Sequence, residues 1–327
     1  MPNKYIVITT INPPTEAVRQ FAAMRDWRLI VVGDTKTPRD WQYPDVIYLS
    51  PEYQKQMKSD LVARLPWKTY SRKMSGYIFA FQSGAEFIAE TDDDNIPYAD
   101  WDSHLVDDFS ETVEHPGFVN IYRYFSPEHV WPRGFPLTDI VNGVLPVVQA
   151  AKPRTAEVGV WQFLADEDPD VDAIYRLTVN KPVYFQPRAK IDLAPGAICP
   201  FNSQNTFFRK ETFPLMYLPV HVTFRFTDIL RGLVAQPILW AAGYTLCFGQ
   251  ATVIQKRNPH DYLADFESEI PCYLHPKRIV EAVQSVVKQS NGIPDNLRVA
   301  YEALLRINIV KSEEIRLLED WLVHFRS

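Results

Sequence analysis

Cysteine is scarce in this chain. Cys199, Cys247 and Cys272 are widely spaced and fall in no CxxC pattern, which excludes a zinc cluster or a disulfide framework and fits a reducing compartment with buried, inert thiols. No apolar stretch approaches the ~18–20 residues of a membrane span, so the expectation is a cytoplasmic protein without a transmembrane segment. No Lys/Arg-dense run occurs, and the 34 Lys and Arg against 40 Asp and Glu leave a net charge of −6. That balance predicts neither a nucleic-acid footprint nor a polybasic membrane patch, and small molecules are the expected partners. Glycine is outnumbered by proline, 12 to 26, which fits rigid connections. Tandem repeats and low-complexity stretches are absent. Also missing is the GxGxxG turn of a dinucleotide fold, because the first strand-like run ends in Thr10-Ile11-Asn12-Pro13-Pro14; NAD bound in the usual way is disfavoured.

What is present is ample apolar material. With 327 residues and 46% hydrophobic content, the chain can bury one large α/β domain with an appendage, or two domains. Tyr5-Ile6-Val7-Ile8-Thr9-Thr10 is a β-branched run. Thr15-Glu16 then open a helical pattern with Val18, Phe21 and Ala22 on one face, and Leu29-Ile30-Val31-Val32 form a second apolar run ending in Gly33-Asp34. Continuous apolar strands alternating with an amphipathic helix predict a parallel sheet covered on both faces. Asp34 and Lys36 fall just beyond the carboxyl end of the second strand, where open α/β sheets bind ligands; a ribose or base contact and a plain turn are both open there.

Residues 69–84 read as the next helix, with Met74, Tyr77, Ile78 and Phe81 on one stripe and Arg72 and Lys73 in the first turn. Cations at a helix N-terminus oppose the macrodipole unless an anion is shared with them, and a phosphate would resolve that conflict. A short strand should follow, running into Asp92-Asp93-Asp94-Asn95. Three adjacent carboxylates at the end of a strand repel one another unless a cation or solvent takes up their field, which points to a divalent-metal site, with a solvated acidic turn as the other reading. In an extended segment Asp92 and Asp94 would face the same side.

Several blocks, in order, carry a family resemblance: residues 8–18 and 32–38, Leu65-Pro66-Trp67, Arg72-Lys73, Asp92-Asp93-Asp94-Asn95, Asn202-Ser203-Gln204-Asn205-Thr206 and residues 224–232. Together they are similar to the STELLO family of glycosyltransferase-like proteins across roughly residues 4–262. Pro132-Arg133-Gly134-Phe135-Pro136 and Pro169-Asp170-Val171-Asp172-Ala173 more weakly resemble the reversibly glycosylated polypeptides, which include UDP-arabinopyranose mutases. Both likenesses imply a GT-A fold, an α/β Rossmann-type mixed sheet flanked by helices, that binds a sugar nucleotide, with a UDP-sugar the expected donor, and Mn²⁺ or Mg²⁺. The chain departs from the plant STELLO proteins in showing no membrane anchor.

The resemblance assigns the acidic run as the DxD-type motif. Asp92 and Asp94 become the expected metal ligands, with His260 as a late ligand or phosphate contact. Thr10, Asn12, Asp34, Lys36, Arg72, Lys73, Asp92 and Asn205 are expected around the donor. Asp228 occupies the place of the acceptor-side acid, as proton acceptor or hydrogen-bond partner, although Thr227-Asp228 would also serve as a helix cap. Arg133 matches an arginine that carries sugar covalently in the reversibly glycosylated polypeptides. A guanidinium is a poor nucleophile, so a phosphate or sugar contact is the simpler role.

The expected organisation is a catalytic domain over residues 1–270 and a helical extension over 271–327. Apolar stripes in that extension, Ile279, Val280 and Val283 and then Leu317, Leu318, Trp321 and Leu322, must be covered by the catalytic domain or by a homodimer contact. The function read from the sequence is metal-dependent sugar transfer from a nucleotide donor to a hydroxyl acceptor such as a glycan. A UDP-sugar mutase, a catalytically silent scaffold and a nucleotidyltransferase are the alternatives, and the last lacks its Gly-rich basic phosphate loop.

Overall fold

β-branched and aromatic residues fill the first extended run, and it forms β1 (Lys4–Thr10) at the centre of a parallel block. The computed structural model describes residues 3–103, 105, 109–141, 148–153, 156–258 and 260–325. After β1, Thr15 caps helix α1 (Glu16–Ala22) by accepting the Val18 N–H at 3.2 Å. The chain returns as β2 (Arg28–Gly33), parallel to β1. Next come β3 (Val46–Leu49), parallel to β2, and β4 (Phe87–Thr91), parallel to β1 on its other side.

Beyond β4 the sheet becomes mixed. Strand Asn205–Arg209 runs antiparallel to β4 and to Glu157–Asp166, and Glu157–Asp166 pairs in parallel with Tyr244–Gln255. Ile191–Leu193, Phe109–Val113 and Val148–Pro153 extend the far edge, giving this sheet eleven strands among the described residues with Asn95–Pro97 paired to Tyr244–Gln255. This mixed α/β sheet flanked by helices is the arrangement expected of a GT-A-like fold.

Period-two alternation divides the core. Tyr5, Val7, Ile30 and Val32 face one hydrophobic cluster, while Ile6, Ile8, Leu29 and Val31 face the other. Helix α1 covers the second cluster with Val18 and Phe21. Helices Met74–Gln82 and Thr227–Ala241 cover the first with Tyr77 and Ile78 and with Leu230 and Leu233. At Gly232 a Cβ would sit 2.2 Å from the Phe201 carbonyl oxygen, so glycine lets the long helix press onto the 201–204 loop.

The C-terminal apolar stripes join the first cluster. Ile279, Val280, Val283, Leu317, Leu318, Trp321 and Leu322 belong to the same core as Tyr5 and Val7, and the Trp321 indole donates to the Pro214 carbonyl at 2.9 Å. Their own chain therefore covers these stripes. Glu314 is fully buried. It accepts the Tyr217 hydroxyl and the backbone N–H groups of Val220 at 2.9 Å and His221 at 2.8 Å. Helix Ser312–Leu322 is thereby tied to the segment that leads into residues 224–228. All three cysteines are buried and free, and burial pushes the Cys199 thiol up to about 12. Among the described residues no helix is long and apolar enough to cross a membrane.

Candidate active site

The carboxyl ends of β1, β2 and β4 open onto two adjoining cavities of about 210 and 400 Å³ that share Thr9, Tyr70, Asp93, Phe224 and His260. This is where parallel strands of an open α/β sheet leave unfilled space. The smaller cavity holds the acidic run. Asp93 and Asp94 form a turn between β4 and Asn95–Pro97, not an extended segment, so side-chain alternation does not apply and all three carboxylates line the cavity.

The three differ in their partners. Asp92 accepts the Tyr70 hydroxyl at 2.9 Å and lies 3.2 Å from the Lys73 ammonium. Asp93 accepts the Thr10 hydroxyl and, at 3.0 Å, the Asn12 amide; burial pushes its carboxyl up against the pull of those bonds. Among the described residues the Asp94 side chain has only the Gln255 amide as a hydrogen-bond partner, 3.3 Å from each oxygen. Burial, then Asp92 and Asp93, push the Asp94 carboxyl up to about 7, against a smaller pull from Gln255 and Arg257.

Opposite the acidic turn lies a buried ion network. Arg133 sits in a tight turn made by Gly134 at φ +84°, where a Cβ would meet the Ile229 side chain at 2.4 Å. All five guanidinium N–H groups face acceptors: Asp170 through two 2.8 Å bonds, Asp228 at 2.9 and 3.1 Å, and the Arg225 carbonyl. Asp228 is correspondingly saturated, accepting also from Ser203 and the Ile229 N–H. Burial pushes its carboxyl up, but Arg133, helped by Arg231 and Arg225, overcomes that and holds it at about 2. Ser203 also hydrogen-bonds Tyr70 at 2.6 Å, so one chain of contacts joins the acidic turn to Arg133 across the cavity floor.

Several sequence expectations change at this level. Asp228 lies in the first turn of helix Thr227–Ala241, as read, but an anion this stabilised and fully partnered is a weak proton acceptor, so the general-base role does not fit. Arg133 is expected as a sugar-carrying or sugar-contacting group, yet it has no N–H to spare, and its two carboxylate partners keep it protonated. Arg72 and Lys73 lie in a 3₁₀ turn, Tyr70–Lys73, that precedes helix Met74–Gln82. Arg72 points inward. It stacks on Trp67, donates to Gln54 and to the Val62 and Leu65 carbonyls, and is 2% exposed. Lys73 is fully buried against Tyr70, the Thr91 carbonyl and Asp92, so it serves the acidic turn. Asn205 is a core residue, bonded to Trp101 and Thr252, because its strand position points it beneath the sheet.

The remaining expected residues do meet at the cavities. Thr10, Asn12, Asp34 and Lys36 line the larger one, as the buried Arg72 does too, and Arg133 and Asp228 line the smaller. Asp34 is occupied by the Thr35 and Lys68 N–H groups, while Lys36 is exposed. His260 lines both cavities with Nδ1 3.0 Å from Asp265. Sequence reasoning missed Asp170, Gln255, Arg257 and Phe224. Phe224 is 59% exposed and edge-on to Tyr70 at 5.9 Å, where both cavities meet. An aromatic run interrupted by arginine, Phe224-Arg225-Phe226, was the available signal.

Comparison with known proteins decides the affiliation. Residues 225–327 match the STELLO glycosyltransferases family profile. Over 264 residues, 73% of this chain, the sequence is 30% identical both to "Probable glycosyltransferase STELLO2" and to "Probable glycosyltransferase STELLO1" of Arabidopsis thaliana. The chain belongs to the STELLO family. The alignment spans about a third of each plant protein, 34% of its length. A solved structure titled "Crystal Structure of a Mycobacterial Protein" aligns with 95% of this chain and 76% of its own at a TM-score of 0.40 and 9% identity. The STELLO profile begins at Arg225 and runs through the C-terminal helices, so the family-defining stretch takes in both the ion network's Asp228 and the helices that buttress it.

Proposed function

We propose that this STELLO-family chain transfers a sugar from a nucleotide-sugar donor, a UDP-sugar by preference, to a hydroxyl acceptor such as a glycan, with Mn²⁺ or Mg²⁺ at the acidic turn. The observation that carries the reading is Asp94, a carboxyl at the carboxyl end of a parallel strand that burial, and then the Asp92 and Asp93 carboxylates, push up to about 7, and whose side chain has a single hydrogen-bonding amide, that of Gln255, among the described residues. Such a group lacks a cation. Among the described residues no three or more His, Cys, Asp or Glu side chains close on one point. A Mg²⁺-type site with one or two protein carboxylates, its shell completed by substrate phosphates, is what the reading therefore requires. Asp94 and Asp92 would hold it. With Nδ1 taken by Asp265, His260 would offer Nε2. A cation bound there would neutralise charge on the departing nucleoside diphosphate.

The protein's own residues do the positioning. Thr10 and Asn12 fix Asp93, and Lys73 with Tyr70 fixes Asp92. The larger cavity, with Val32, Gly33 and exposed Lys36, suits the nucleoside. Asp228 and Arg133 set the far wall as a locked ion pair and take no proton. The locked state of Arg133 also speaks against the mutase alternative with a sugar on that arginine.

The test is a panel of UDP- and GDP-sugars with the purified protein, read as melting temperature and nucleotide release. UDP or a UDP-sugar should raise the melting temperature only with Mn²⁺ or Mg²⁺ present. Equal stabilisation in excess EDTA, or turnover of donor to its ring isomer without acceptor, would count against the proposal.

A further inference from the structure

Arg257 is anomalous among the arginines of the cleft. Arg133, Arg176, Arg225 and Arg231 each donate hydrogen bonds to acceptors of the fold. Arg257 donates none to any described residue, although its side chain is only 8% exposed and lines the smaller cavity. Its Nε forms an ion pair with an Asp168 oxygen at 3.0 Å without hydrogen-bond alignment, and Nε and Nη1 are both buried with no hydrogen bond to a described residue. The surroundings are cationic as well. Burial, then Arg225 and Arg176, pull its guanidinium down from the usual value, against a smaller opposite effect of Asp168 and Asp170. A buried cation with unfilled donors costs stability, and a fold keeps one where an anion completes it.

Its place says which anion. Arg257 follows directly on the Lys256 N–H that donates to the Asp94 carbonyl at 3.0 Å, so the backbone carries it past the acidic turn. Within reach of its field lies Asp94 itself. We infer that Arg257 is the diphosphate-binding residue of this cleft, its planar fork taking phosphate oxygens from the side opposite the acidic turn. The inference rests on the nucleotide-sugar reading for the identity of the anion, and on Arg257 alone for the place where it binds. Cation and arginine would then act on one diphosphate from two sides, and the guanidinium would stabilise the charge that builds up as the sugar leaves.

The experiment measures binding of UDP, inorganic pyrophosphate and uridine by calorimetry in Mn²⁺, for the wild type, Arg257→Gln and Arg257→Lys. Arg257→Gln should weaken UDP and pyrophosphate alike by about 10- to 100-fold, the scale of one charge-assisted contact, and leave uridine unchanged. Arg257→Lys should recover part of the loss, since it restores charge without the fork. The melting temperature of Arg257→Gln should not fall, because the native guanidinium makes no hydrogen bond to a described residue and its ion-pair partner Asp168 keeps Arg176; a fall that Arg257→Lys reverses with no change in binding would make the residue structural and overturn the inference. UDP binding that ignores Arg257→Gln would also overturn it while leaving the nucleotide-sugar reading in place. Pyrophosphate bound through Arg257 with no binding of UDP would do the opposite. A wild type that binds neither removes the inference.

Discussion

Replacing Asp94 by Asn tests the electrostatics of the acidic turn with a single isosteric change. The Asp94 carboxyl sits at about 7 in the folded protein against 3.8 ordinarily. Between those two values the folded state holds a proton that the unfolded state has lost. Stability contributed by this site is therefore fully present below about pH 4, falls as pH rises, and levels off above about pH 7. A displacement of about three pH units corresponds to a penalty on the order of 4 kcal/mol at most. Asp94→Asn removes that penalty, so in EDTA at pH 8 the variant should be more stable than the wild type by roughly 1–3 kcal/mol, a gap that closes toward pH 4, measured by urea denaturation across the pH range. A divalent cation reverses the order. Because the cation must displace the proton, Mn²⁺ affinity of the wild type should fall about tenfold for each pH unit below 7, and that dependence should vanish in Asp94→Asn along with most of the affinity, followed by electron paramagnetic resonance of free Mn²⁺. A variant less stable than wild type at pH 8 without metal, or Mn²⁺ affinity that is flat from pH 5.5 to 7.5, would refute the account of an uncompensated carboxylate.

Two further outcomes follow from the packing. Arg133→Ala strands Asp170 and Asp228 without their shared cation and should cost about 3–5 kcal/mol in urea denaturation, with peptide mass spectrometry finding no sugar on Arg133 in the wild type. Trp321→Ala empties a fully buried indole site beneath Tyr217 and should cost about 3–5 kcal/mol, lowering the melting temperature of the whole chain in one transition and not releasing a separate C-terminal unit.

The sequence was most informative where local pattern and tertiary role coincide. β1, α1 and β2 announce themselves by β-branched runs, a Thr15 cap and an apolar helical face, and the acidic turn by charge density alone. Arg72 reads as a phosphate ligand because its acceptors, Gln54 and the Val62 and Leu65 carbonyls, come from two earlier helices that no spacing rule connects to it. Asn205 misleads for a related reason. In a loop an amide is solvent-facing, but here it opens a central strand, and the pleat turns it into the core. Asp228 was placed on the correct helix, yet its proton affinity depends on Arg133, 95 residues away in sequence. Arg257 is the extreme case: what marks it is a buried guanidinium that pairs with Asp168 yet makes no hydrogen bond to any described residue, which only the folded chain reveals.

The tie between Glu314 and the 217–221 segment also sets an order of events during synthesis. The segment leading to Phe224, Arg225 and Asp228 leaves the ribosome with its backbone N–H groups at Val220 and His221 unmatched, and their acceptor is translated some ninety residues later. Contacts of that sequence separation close late. Until Glu314 has emerged, a nascent chain that already contains every residue of both cavities lacks the contacts that hold the 217–221 segment leading to Phe224, Arg225 and Asp228.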